Sequence, residues 1–351
     1  INSNNIWTNE SGIYCQESRE GIITNNFISS NGKGITLSGC ESYEVENNII
    51  TVGIDGIELY KAEANIEYNN ITSNCTSDDC AKVSFTKVGN YGIRVYEESE
   101  ANLRHNRIEY FSNGVSLEES EIGNLYNNYI NFTETGLLIY LSEINIQFNN
   151  INNSQEAVNS IDSTVNLENL YIHSFDIGID SVNSTYYITN LHMTEGRLCL
   201  TFIDTAYIID NFENVNCNEA NLYEKYYFNV FIQTNEGIAA PQHNYNFSSS
   251  AQSSVISSFT NDNGLSDYHL VIAKKIDNSG LTINFNPYTI SYVHNGIATT
   301  FTESITTNRT IHAYLDTTPP TTILNCGEEL INQENIVLQF EKISEKNDLL
   351  N

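Results

Sequence analysis

Methionine, tryptophan and proline are scarce in this chain: one, one and four among 351 residues. So few prolines exclude a polyproline or mucin-like stalk. Basic residues are also few, 15 Lys and Arg against 44 Asp and Glu, for a net charge of −29. Nucleic acid needs Lys and Arg to displace its counterions, and an anionic bilayer surface asks for the same charge, so neither is expected as a partner. No run of 18 apolar residues occurs, so no span of a membrane is expected. None of the seven cysteines has the spacing of a paired zinc site. No signal peptide is visible, the sequence begins with Ile1 and not Met, and the last stretch, NIVLQFEKISEKNDLLN, reads as an unfinished domain; the expectation is a processed or truncated piece of a larger protein.

What is present can fold. Hydrophobic residues make up 40% of the chain, with 22 Tyr and 15 Phe, and the length suits two or three domains. Asparagine is heavily used. The cysteines suggest an oxidising compartment. Cys75 and Cys80 bracket the polar loop CTSDDC, which a disulfide would staple, and Cys199 and Cys217 stand about one repeat apart, where a disulfide would tie neighbouring turns. Cys326 is expected to find its partner outside this chain.

A glycine opens a recurring apolar phrase at Gly12, Gly34, Gly56, Gly92, Gly114 and Gly136, in steps of 22 residues except for one step of 36, and Ala157 and Gly178 continue it in steps of 21. The second residue of an Asn-Asn phrase keeps nearly the same beat: Asn26, Asn48, Asn70, Asn106, Asn128, Asn150, Asn169, Asn190 and Asn211. Two columns with one period mark a solenoid. Behind each glycine the apolar residues alternate (Ile35 and Leu37, Ile57 and Leu59, Ile93 and Val95), which is the period of a strand. Leucine-rich, tetratricopeptide and ankyrin repeats need other orders or helices. The expected fold is all-β: a parallel β-helix of about nine coils, stacked about 4.8 Å apart into a rod of roughly 43 Å.

Asparagine at a bend adopts the left-handed region and bonds its own backbone. Stacked coil on coil, each amide can donate to one neighbour and accept from the other. The Asn column is therefore expected to be a structural ladder that Asp or Leu would break. A column of small residues, Ser18, Cys40, Ala62, Glu98, Ser120, Ser142, Ser163 and Ser184, marks a second corner.

The phrase G-I-x-L followed by N-N-x-I, over roughly residues 1–217, resembles the parallel β-helix repeats of the pectate-lyase-like superfamily, closest to NosD-like and surface-protein repeats. The resemblance implies a right-handed coil. It does not imply chemistry, because one coil serves lyases, hydrolases, tailspikes and inert rods. Polygalacturonase-like members carry NTD, DD, GHG and RIK motifs; here the only DD is Asp78–Asp79, inside CTSDDC, and GHG and RIK are missing. The DPH motif of epimerase-like members is missing too. Arg94 with Glu97 and Glu98, and Arg104 with His105, read as solvated surface pairs. His105 stands in the first-Asn slot of its coil and reads as a turn residue, while His173 and His192 fall on separate coils. No catalytic residue and no enzyme activity are expected.

Glu41, Glu63, Ser99, Glu121 and Glu143 share a register seven residues after the glycine, and Glu97, Glu98, Glu100, Glu118 and Glu119 thicken the same stripe. Stacked carboxylates repel. Either water and salt screen them, or a divalent cation such as Ca²⁺ bridges Glu41, Glu63, Glu121 and Glu143. No cofactor is expected other than this Ca²⁺. Tyr14, Tyr60, Tyr96 and Tyr140 lie near one register, as mutual packing or as a platform for sugars.

The period breaks for an insertion near 73–86 and stops after Asn218. The expected domains are the β-helix over 1–218, a β-sandwich over 219–316, and a linker with the opening strands of a further module over 317–351. The strands and turns between LYEKYYFNVFIQ and NRTIHAYLD resemble immunoglobulin-like or carboxypeptidase-regulatory-like modules. The order of β-helix, sandwich and TTPPTT linker resembles archaeal or bacterial adhesin-like, S-layer and filament proteins. Sequons stand at Asn9, Asn70, Asn74, Asn131, Asn152, Asn183, Asn246 and Asn308. The expected function is a structural or adhesive module of a cell-surface protein whose partners are its own copies or neighbouring subunits. The alternative is a β-helix that binds or degrades glycans.

Overall fold

The computed structural model describes residues 1–74, 89–210, 215–251, 255–294 and 296–315. Among them every regular element is a strand. One sheet holds nine parallel strands in sequence order, from Gly21–Thr24, Tyr43–Glu46 and Glu63–Glu67 to Thr185–Thr189 and Ala206–Asp210, one from each coil of a β-solenoid. Two further stacks complete each coil. Early coils use two separate short strands, such as Ile49–Val52 and Asp55–Tyr60. Later coils fuse them into twelve-residue strands: Tyr129–Tyr140, Asn150–Ile161, Tyr171–Val182 and His192–Ile203. Each fused strand bends at a residue of positive φ: Phe132, Asn153, Ser174 and Glu195.

Alternation of side chains drives the coil. Ile28, Ile50, Ile71, Ile108, Ile130, Ile151, Ile172 and Met193 stack in the interior, all at most 2% exposed. Parallel stacking of like residues buries each against its copies above and below. The repeated glycine answers to close approach between coils: a Cβ on Gly34 would meet the Gly56 oxygen at 2.5 Å, and one on Gly56 the Gly92 oxygen at 2.3 Å. Where the interior turns polar there is a steric reason. Tyr186 enters the core in register with Val165, and Ser160 stands where other coils carry aliphatics and accepts its hydroxyl proton at 2.7 Å.

The solenoid does not stop at residue 218. Val215–Thr234 is one continuous twenty-residue strand. It pairs parallel with His192–Ile203 as far as Lys225, and from Phe228 it pairs parallel with Arg309–Leu315; His269–Asp277 runs antiparallel to it. A second, four-stranded antiparallel sheet, Ile256–Phe259, Asn244–Ser249, Tyr288–His294 and Ile297–Glu303, shares a core with this layer through Phe228, Val230, Ile232, Tyr245, Phe247, Ile290 and Tyr292. The unit is therefore two packed sheets fused to the solenoid by a shared strand. The solenoid core reaches Leu222 and the second core begins at Phe228, so the expected boundary at 218 falls inside a strand. Lys274 Nζ donates to Tyr207 OH at 3.1 Å and Asn278 Nδ2 to the Asn218 carbonyl at 3.1 Å across the junction. The 317–351 module and most of the expected insertion near 73–86 lie outside the described residues.

Candidate functional site

The asparagine ladder exists, one residue out of the expected register in places. Asn26 Nδ2 donates to Asn48 Oδ1 at 2.9 Å, Asn48 to Asn69 at 3.0 Å, Asn69 to Asn106 at 3.0 Å, Asn106 to Asn128 at 3.0 Å, and Asn128 to Asn149 at 3.0 Å. Each acceptor oxygen also takes the backbone N–H of the asparagine below it. Asn70 and Asn150 do not belong to it. Asn70 is exposed and stands in register with Ile49 and Arg107, and Asn150 with Tyr129 and Tyr171. The reason is chain geometry: the residue before the ladder takes positive φ, and that is Asn25 and Asn47 but also Tyr68, His105, Asn127 and Phe148. Asn169 and Asn190 occupy this left-handed slot, and the ladder positions beside them are Leu170 and Leu191, both buried. Leucine ends the ladder there. Asn211 lies outside the described residues.

A second ladder runs along the next corner. The Ser120 backbone N–H donates to Ser142 Oγ at 3.2 Å, Ser142 to Ser163 at 3.2 Å and Ser163 to Ser184 at 3.1 Å, and Ala62 donates to Ser99 Oγ at 3.1 Å. Ser99, not Glu98, holds the small slot; Glu97 and Glu98 both take positive φ, so this corner is one residue longer.

Outside these ladders lies a cluster of charged side chains. Lys33 Nζ sits 2.5 Å from Glu58 Oε2 and 3.8 Å from Asp55 Oδ2, and both carboxylates are at most 5% exposed. Tyr96 OH donates to Glu58 Oε1 at 3.0 Å. Asp55 Oδ1 has no partner among the described residues, and burial pushes the Asp55 carboxyl up against the opposing pull of Lys33. Arg94 grips Glu118 at 3.1 and 2.9 Å, so its partner is Glu118 and not Glu97 or Glu98. The rings of Tyr91 and Tyr96 lie 4.8 and 4.3 Å from the guanidinium. The hydrogen bond to Glu118 raises the Arg94 pKa further.

From Arg94 an open groove of about 320 Å³ passes Lys61, Glu97, Glu98, Glu118 and Glu119. Beyond Glu98 and Glu119 it widens to about 700 Å³ between Glu100, Glu143 and Asp162. The backbone registers run Glu63, Glu100, Glu121, Glu143, so Glu100 takes the place expected for Ser99. Glu41 begins that column, since the Glu63 N–H donates to the Cys40 carbonyl as the Glu100 N–H does to that of Ala62, and Ser42, at positive φ, is an extra residue before Tyr43 pairs with Ala64. The Glu121 side chain is outside the described set. Among the described residues no group of three or more His, Cys, Asp or Glu could hold a metal ion.

The Tyr60 and Tyr96 rings lie 5.3 Å apart, tilted by 44°, but Tyr14 does not join them, being in register with Thr36. The longer run of rings is elsewhere. Tyr68 stacks on His105 at 4.7 Å, His105 meets Tyr126 edge-on at 5.6 Å, and Tyr126 meets Phe148 at 5.5 Å, beside an open groove of about 340 Å³ lined by Arg104, Asn124 and Gln147. His105 has φ 56, the turn conformation expected of it. His173 Nε2 pairs with Glu195 at 3.2 Å, a carboxylate that its position alone did not reveal.

Cys199 and Cys217 are joined by a disulfide with Cα atoms 5.6 Å apart. Cys15 and Cys40 are free, and Cys75, Cys80 and Cys326 lie outside the described residues. Among the sequons, Asn9, Asn70, Asn74, Asn183, Asn246 and Asn308 are exposed and Asn152 is half-buried. Asn131 is 5% exposed and donates to Glu109, which excludes it as an acceptor of glycan in the folded chain.

Residues 1–84 match the family model described as "Periplasmic copper-binding protein (NosD)". That segment covers the first coils only. No curated protein matches the chain. Among the described residues of the matched segment no group of metal-ligating side chains gathers, and Cys75 and Cys80 lie outside them. The segment contains no histidine and no methionine, and Cys40 is fully buried with its thiol directed at the Ser38 carbonyl. No helix among the described residues is long and apolar enough to cross a membrane.

Proposed function

We propose that this chain is a structural module of an extracytoplasmic protein, a stiff solenoid spacer that assembles with its own copies or with neighbouring surface subunits. The observation that carries this reading is the pair of side-chain ladders. They commit the buried corner residues of successive coils to bonding one another, which is the economy of a wall. The fused strand Val215–Thr234 supports it as well, since it couples the solenoid to the next unit without a flexible linker. The description of the family matched at residues 1–84 and the Cys199–Cys217 disulfide support a place outside the cytoplasm. No catalytic step is assigned. Arg94, the cation most enclosed by the groove, is held by Glu118 in a bidentate pair through its Nε and Nη2.

Sedimentation velocity and negative-stain microscopy at high protein concentration test this reading. Filaments, sheets or discrete oligomers are expected, and monomers alone would contradict assembly. A second reading, glycan binding, is favoured by the run Tyr68, His105, Tyr126 and Phe148 with Arg104 and Gln147 beside it, since rings and planar polar groups together suit a sugar. A glycan array in which hits appear and Tyr126→Ala removes them would favour it. An array with no hits would end it.

A further inference from the structure

The fused sheet pair contains two histidines that face each other across antiparallel strands. Tyr245 pairs with Tyr292, so the register carried two pairs further out sets His243 opposite His294 at the end of the sheet. Their ring centres are 5.5 Å apart, with planes inclined at 48°. The pair lies on the side of the sheet that carries buried Tyr245 and Tyr292, at the mouth of the second core, where the Tyr292 ring stands edge-on to His243 at 6.0 Å. His243 Nε2 is buried and has no partner among the described residues.

We propose that His243 and His294 form a binding site for one divalent first-row transition-metal ion, with water completing its coordination. A buried imidazole nitrogen with no hydrogen-bond partner among the described residues is available as a metal ligand. The spacing fits. Two imidazole nitrogens at about 2.0–2.1 Å from one ion put the ring centres about 3.2 Å from it, and an angle near 120° then separates them by about 5.5 Å. The backbone hydrogen bond from His243 to Thr260 Oγ1, at 3.0 Å, fixes the strand end from which the ring projects. Two nitrogens and water suit Cu²⁺ above Ni²⁺ and Zn²⁺ in the usual order of stability. The site stands on residues far from the 1–84 match and takes nothing from it.

The test is a titration of the whole chain with Cu²⁺ and with Zn²⁺ by calorimetry, joined to electron paramagnetic resonance of the Cu²⁺ complex. One ion per chain is expected, tighter for Cu²⁺, with hyperfine structure from two nitrogens. His243→Gln and His294→Gln should each weaken binding at least tenfold, while His173→Gln leaves it unchanged. Binding that survives both substitutions, or that falls with His173→Gln instead, would overturn the site. Should the variants fail to fold, the wild-type spectrum decides, because a signal with fewer than two nitrogens would overturn it equally.

Discussion

A single residue of offset separates a buried ladder asparagine from an exposed one. In the phrase Tyr68-Asn69-Asn70-Ile71, the tyrosine takes the left-handed turn and Asn69 the ladder, so the residue counted by position, Asn70, faces solvent. The signal that resolves this is the buried Ile71 two residues after the ladder position, which pairs with Ile50 and Ile108. Pairs of asparagines hide the choice because either member fits a turn. The serine ladder can be tested at one position. Ser142 Oγ accepts from the Ser120 N–H and donates to the Tyr140 carbonyl at 2.8 Å. Ser142→Ala should cost about 1–2 kcal/mol of stability, read from the urea midpoint. Asp55 gives a pH dependence. Its folded-state pKa is raised, so its contribution is fully present below the unfolded carboxyl value and is lost as pH rises through the folded one. Asp55→Asn should therefore melt higher than wild type at neutral pH, with the gap closing towards pH 3; a gap that widens on acidification would contradict the burial.

At the scale of elements, period-two patterning and a fixed repeat announced the strands and their stacking, because each coil buries the same positions as its neighbour. The second unit was less legible. Its strands could be marked out by turns, but which strand pairs with which depends on contacts between residues far apart, such as Phe228 with Arg309, and no period encodes them. The His243–His294 pair escaped notice for that reason. The disulfide between Cys199 and Cys217 closes a loop of 18 residues at the last coil. Its removal by Cys199→Ala with Cys217→Ala should destabilise that end by about 3 kcal/mol, seen as faster hydrogen exchange in His192–Ile203 than in earlier coils. The carboxylates of Glu63, Glu100 and Glu143 stand in one register along the groove. Screening predicts that NaCl and CaCl₂ raise the melting temperature alike at equal ionic strength. An additional rise with Ca²⁺ that EDTA reverses would instead assign an ion to these side chains.

The whole molecule is a stack of coils that interact with their nearest neighbours, joined through one long strand to a pair of sheets. In such a body a corner ladder matters out of proportion to its size, because each amide serves the coil above and the coil below. The net charge of −29 works against compaction, so the ladders and the aliphatic stacks oppose a standing repulsion. The charged cluster was visible in the sequence as a stripe of glutamates. Its partners were not, because Arg94 reaches Glu118 across coils, whereas Glu97 and Glu98 are nearer in sequence. The central claim is that buried asparagines bind the coils into one wall, and the most direct measurement compares equilibrium unfolding of Asn69→Leu and Asn70→Leu. Asn69→Leu strands the Asn48 donors and the Val45 carbonyl, and should cost about 2–4 kcal/mol. Asn70→Leu should fall within about 0.5 kcal/mol of wild type. Equal losses from the two variants, or a larger loss from Asn70→Leu, would contradict it.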